Sequence, residues 1–121
     1  MMEAKRHYSV IDPYNRKLTL KYKNEVIAQS TNALILKEVA RHVYNPVFYI
    51  PKEDLKIELA PEINRKSYCP IKGDASYWLA PGKKTDNYFA WSYENPVPRS
   101  KKIKGHIAFN MDYITFISEP V

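Results

Sequence analysis

A single cysteine, Cys69, in 121 residues excludes an internal disulfide and the paired Cys-x-x-Cys arrangement of a structural zinc knuckle. The fold is therefore expected to stand without a metal, and no cofactor is expected. The three glycines form no phosphate-loop pattern. No apolar run approaches the roughly 20 residues of a membrane span. None follows the basic pair Lys5-Arg6 as a secretory leader requires. A cytoplasmic protein with no membrane partner is the expectation. No repeat, low-complexity tract or long linker divides the chain, and its length suits one domain. Residues 1–16 read as a loosely held lead-in and residues 17–121 as a single all-β domain.

Nineteen Lys and Arg against thirteen Asp and Glu give a net charge of +6 and a pI near 9.3, which suits an anionic partner without identifying it. Ten Tyr, four Phe and two Trp stand beside nine Pro. Aromatic residues favour strands and prolines interrupt them, so the composition reads as mainly β.

Periodicity agrees. Leu18, Leu20 and Tyr22 alternate with Thr19, Lys21 and Lys23, the mark of a half-buried strand. A turn at Lys23-Asn24-Glu25 leads into Val26-Ile27-Ala28 and makes a hairpin. The segment 33–43 fits either a helix or a short strand at 33–37 followed by one helical turn. Val47-Phe48-Tyr49-Ile50 is a strand, and Pro51 begins a single helical turn. Leu55, Ile57 and Leu59 alternate with Lys56 and Glu58, which predicts a strand with one face buried. Further strands are predicted at 76–80, 88–93 and 106–109, a basic loop at 96–104, and a last strand or helical turn at 111–117. Seven to nine short strands imply a compact barrel, sandwich or folded sheet.

The stretch Ser67-Tyr68-Cys69-Pro70-Ile71-Lys72-Gly73-Asp74-Ala75-Ser76-Tyr77-Trp78 resembles the signature block of the domain-of-unknown-function family number 427. Three flanking blocks agree in order: Phe48-Tyr49-Ile50-Pro51-Lys52-Glu53-Asp54, Ala90-Trp91-Ser92-Tyr93-Glu94-Asn95-Pro96 and Gly105-His106-Ile107-Ala108-Phe109. The likeness spans about residues 17–117. It implies two sheets leaning together, similar to the tent-like zinc proteins of the Mss4 type but usually without their metal. It also favours the strand reading of 33–37. The segment between Glu38 and Phe48 is longer than is usual in the family, and the extra residues are expected to form the helical turn.

The family sometimes carries a nucleotidyltransferase label. That chemistry needs neighbouring carboxylates to hold magnesium against phosphates, and Asp12, Asp54, Asp74, Asp86 and Asp112 include no Asp-x-Asp pair. Cys69 is the candidate nucleophile, with Lys72 near in sequence to favour the thiolate and His42 or His106 as its base; an inert buried thiol is the competing reading. Gly73 suits a positive-φ turn, leaving Lys72 either exposed or held over a cleft to meet an anion. His7, His42 and His106 lack metal-ligand spacing, so no metal site is predicted.

Three functions fit. The first is binding of a small polar or anionic ligand in an aromatic-lined cleft, with Tyr49, Trp78, Trp91 and Tyr93 as walls and Glu38, Asp54 and Lys72 as polar groups. Tyr77 and Trp78, being adjacent, must face opposite sides of their strand. The second is a basic nucleic-acid module centred on Arg99, Lys101, Lys102 and Lys104. The third is a protein-interaction scaffold with no small-molecule site.

Overall fold

The computed structural model describes residues 7–121. Within them the chain forms ten strands: β1 (Tyr8–Pro13), β2 (Lys17–Tyr22), β3 (Glu25–Ser30), β4 (Leu34–Val39), β5 (Val47–Pro51), β6 (Ser67–Cys69), β7 (Gly73–Trp78), β8 (Ala90–Ser92), β9 (His106–Phe109) and β10 (Thr115–Glu119). All pair antiparallel. Seven make one sheet in the order β1-β4-β5-β9-β8-β7-β6, and three make a second in the order β10-β2-β3. Two short 3-10 helices, Lys52–Asp54 and Pro98–Ile103, interrupt the connections. The fold is mainly β in two sheets, as the aromatic and proline usage implies.

The alternation along each strand sorts side chains into two cores. Phe48 and Ile50 of β5, Ile107 and Phe109 of β9, and Phe89 and Ala90 at β8 face the small sheet. There they meet Leu18 and Leu20 of β2 and Ile27 and Ala28 of β3. Phe89 anchors this core, edge-on to Tyr22 at 5.1 Å and to Phe109 at 5.8 Å. The intervening residues point the other way: Leu36 of β4, Tyr49 of β5, Ala108 of β9, Tyr93 after β8, and Ala75 of β7. Ile103 of the second 3-10 helix is buried in that second core. The seven-stranded sheet is thus covered on both faces.

Several expectations are corrected. Residues 8–13 are not a loose lead-in but β1, paired along its whole length with β4, Ile11 opposite Leu36 and Ser9 opposite Glu38. Its polar residues masked the strand, since only Ile11 is fully buried there. Residues 1–6 of the lead-in lie outside the described residues. The strand at 33–37 exists as β4, but no helical turn follows it. The chain bends instead, closed by an isolated bridge between Val39 and Val43. Residues 55–59 form no strand; Leu55 makes one isolated bridge to Ala28. Their alternation is nonetheless real, because Leu55, Ile57 and Leu59 pack against the first core while Lys56 and Glu58 are exposed. Since Ile57 is only half-buried, Ile57→Ala should cost about 1–2 kcal/mol, less than a fully buried isoleucine. Lys56→Ala should stay within about 0.5 kcal/mol. Urea unfolding of both variants checks this, and equal losses would contradict the assigned faces.

Candidate functional site

The Cys-Pro-x-Lys-Gly block is the hairpin between β6 and β7. Cys69 pairs with Gly73 across its base, and the Lys72 amide donates to the Cys69 carbonyl at 3.1 Å. Gly73 adopts φ +116°, a region that side chains resist. The Val97 amide donates to the Lys72 carbonyl at 2.9 Å, and the Ser100 hydroxyl to the Ile71 carbonyl at 2.5 Å. The hairpin is therefore clamped against the second 3-10 helix, and the Lys72 side chain is directed inward, 9% exposed.

There it meets β4. Leu34 and Leu36 face the second core, so period two puts Glu38 on the same face. The Lys72 Nζ lies 2.8 Å from Glu38 Oε1. In the sheet order β4 and β7 are four spacings apart, which in a flat sheet is about 19 Å. Side chains alone do not bridge that gap, so the sheet rolls until its two ends meet. His7 completes the contact. It lies two residues before Ser9, the partner of Glu38, and hence on the same face. Its Nε2 sits 2.5 Å from Glu38 Oε2.

Burial tends to raise the Glu38 pKa, but the hydrogen bonds and charges of Lys72 and His7 outweigh it and hold the carboxyl below its usual range. Glu38 is thus an anion shared between two donors. Aromatic residues frame it. The Tyr93 ring centroid is 5.7 Å from the Lys72 Nζ, a cation–π distance. Trp91 donates from Nε1 to the Tyr49 hydroxyl at 3.3 Å. Burial chiefly pushes the phenols of Tyr49 and Tyr93 well up, so both stay neutral and act as hydrogen-bonding walls. Cys69 packs at the edge of the same core, and its sulfur, a His7 nitrogen and a Glu38 oxygen lie within 4.8 Å of one another.

Lys72, Glu38, Cys69, Tyr49, Trp91 and Tyr93 are therefore brought together. Two other predicted site residues are not. Asp54 accepts a hydrogen bond from Ser30 at 2.6 Å and lines a separate depression with Lys17, Gln29 and Asn32. Trp78 faces the opposite side of β7, donating to Ser92 at 3.0 Å. With Lys52, Leu55, Ile57, Leu59 and Ile107 it lines a groove of about 570 Å³. Alternation predicts that Tyr77 and Trp78 separate; which of them accompanies Trp91 and Tyr93 depends on the sheet order. The predicted bases are engaged elsewhere, His42 against the Tyr44 ring at 4.3 Å and His106 on the Lys104 carbonyl at 2.9 Å. The imidazole beside Cys69 is His7, which local sequence could not reveal because only the pairing of β1 with β4 brings it there.

Beside the groove, Lys52 contacts both Glu94 oxygens at 2.8 and 2.7 Å, and Ser92 also donates to Glu94. Burial works to raise the Glu94 pKa, and these donors more than reverse it. A depressed folded-state pKa contributes stability above the ordinary carboxylate value of about 4.3 and loses it as pH falls through the folded value. Glu94→Gln should therefore lose less stability on acidification below about pH 4 than the wild type. Unfolding midpoints measured at neutral and acid pH check this; identical acid losses would contradict it.

The basic segments attach to different parts of the fold. The helix Pro98–Ile103, with Lys101 and Lys102 exposed, packs beside the Lys72 hairpin, whereas Lys83 and Lys84 border a pocket with Tyr22, Asp86 and Asp112. No helix among the described residues is long and apolar enough to cross a membrane.

The sequence model of the family described as a domain of unknown function (DUF427) matches residues 10–119. The match takes in the last four residues of β1 and extends past both limits of the resemblance read from the blocks. No curated protein matches the chain.

Proposed function

The chain belongs to the DUF427 family, and we propose that it binds a small polar ligand, bearing an anionic or strongly accepting group, where the two ends of its large sheet meet. The Lys72–Glu38 pair carries this reading. A lysine from the turn before β7 and a glutamate from β4, a strand four spacings from β7, meet at 2.8 Å, with side-chain exposures of only 11% and 15%. Such a pair stabilises a fold weakly for the desolvation it demands. It suits a site in which Glu38 holds the ammonium in place until a ligand group competes for it. Tyr93, Tyr49 and Trp91 pack around the pair, and His7, more exposed than either partner at 29%, is where a ligand would first meet it. An incoming acceptor takes Lys72, and Glu38 keeps His7.

Native mass spectrometry of freshly purified protein tests the reading. Wild type and a variant with Lys101, Lys102 and Lys104 changed to Gln should retain the same small adduct, and Lys72→Met should lose it. A wild type without any adduct, or loss confined to the loop variant, would overturn it. The latter result would favour a polyanion bound along the basic helix, with steep salt dependence.

A further inference from the structure

We infer that His7, Glu38 and Cys69 form a binding site for one divalent transition-metal ion of the zinc type. Each comes from a different element: His7 immediately precedes β1, Glu38 is on β4 and Cys69 ends β6. Their donor atoms lie within 4.8 Å of one another. Nitrogen, carboxylate oxygen and thiolate sulfur are the three ligand types that zinc accepts, at about 2.0–2.3 Å from the metal. Tetrahedral geometry with those bond lengths sets donors about 3.4–3.8 Å apart. Two adjustments remain: the Cys69 sulfur, within 4.8 Å of the other two donors, settles into that range, and the 2.5 Å contact between His7 and Glu38 opens by about 1 Å. His7 can make it, because its side chain is 29% exposed and it stands ahead of the first strand.

The surroundings suit an ion. Lys72 holds Glu38 Oε1 at 2.8 Å and leaves Oε2, the oxygen facing His7, as the ligand atom. That outer contact fixes the carboxylate, as hydrogen-bonding partners of ligating groups do at metal sites. Thiolate and carboxylate together balance the two charges of the ion. Three protein ligands leave a fourth position for water or for a group of a bound molecule. Binding requires a thiolate and an imidazole nitrogen free of its proton, so the Nε2–H that His7 gives to Glu38 must leave or pass to Nδ1 as the ion enters. The ion would draw on the same His7 and Glu38 as the small-ligand reading, but the inference stands on the donor geometry of the three side chains.

Cobalt(II) is the probe, titrated into the metal-free full-length protein and followed by absorption. The expected result is saturation at one equivalent, with a thiolate-to-cobalt charge-transfer band and tetrahedral d–d bands that zinc abolishes by displacement. Cys69→Ser should lose the charge-transfer band, and His7→Ala should weaken binding by about tenfold or more. Both variants should keep the wild-type circular dichroism spectrum. Absence of saturable binding by the wild type would overturn the inference. So would bands that persist unaltered in Cys69→Ser and His7→Ala.

Discussion

Lys72→Met should destabilise the protein by about 2–3 kcal/mol, and adding Glu38→Leu should restore most of that loss. From the sequence alone Lys72 reads either as an exposed residue or as a cation held over a cleft. Its pairing changes the expectation. Removing the ammonium leaves the Glu38 carboxylate among Tyr93, Tyr49 and Trp91 with His7 as its remaining donor. An uncompensated buried charge costs about 3–5 kcal/mol when fully enclosed. The residual exposures of 11% and 15% place this pair toward the lower end. Replacing both partners with apolar side chains removes the stranded charge, and such swaps are often neutral. Urea unfolding of the wild type, both single variants and the double variant gives the coupling as a cycle. Additive losses would mean that the two side chains do not meet.

Gly73→Ala should cost about 2–4 kcal/mol, combining backbone strain of roughly 1–3 kcal/mol with a steric conflict. At φ +116° an added Cβ would stand 3.3 Å from the Asn95 carbonyl oxygen and 3.5 Å from the Val97 nitrogen. The second is ordinary van der Waals contact, but the first is tight and involves a backbone atom, so the chain at Asn95 must give by a few tenths of an ångström. Gly82 is the internal control: its φ is +82° but nothing lies within 4 Å of the added Cβ. Gly82→Ala should then cost only about 1 kcal/mol, the conformational part alone. Thermal or urea unfolding separates the two, and equal losses would mean that the turn does not press against residues 95–97. Because Val97 also holds the Lys72 carbonyl, Gly73→Ala should in addition weaken whatever Lys72 binds.

How far the sequence discloses this arrangement depends on the range of the signal. Alternation in 18–22 reports a strand because apolar and polar residues take turns with period two, whereas 47–50 reads as a strand through a continuous apolar run, since β5 lies between the two cores with Ile50 in one and Tyr49 in the other. The hairpin turn at Lys23-Asn24 is equally local, and both residues take positive φ. At 55–59 the same alternation misleads: it registers which side chains face the core, not whether a neighbouring strand accepts the hydrogen bonds. β6, three residues long and mostly exposed, offers no periodicity to read.

The site divides along the same line. Cys69, Lys72 and Gly73 are visible because one turn holds them together. Glu38 is a reasonable candidate, yet its partner lies 34 residues away and only the rolled sheet joins them. His7 is hidden altogether, since β1 must pair with β4 before the imidazole has any place in a site. Trp78 and Asp54 were assigned by chemistry to the same cleft, but strand faces and sheet order send them elsewhere. Local pattern identifies the groups able to do chemistry; closure of the sheet decides which of them meet.

The ends of the seven-stranded sheet come together through Lys72, Glu38 and His7. A carbon-edited NOESY spectrum of the uniformly labelled protein checks this contact. Cross-peaks are expected from the Lys72 Hε protons to the Glu38 Hγ protons and to the Tyr93 ring, and from the His7 ring to Glu38. Sharp, freely averaged Lys72 Hε signals with no cross-peak to Glu38 would contradict it.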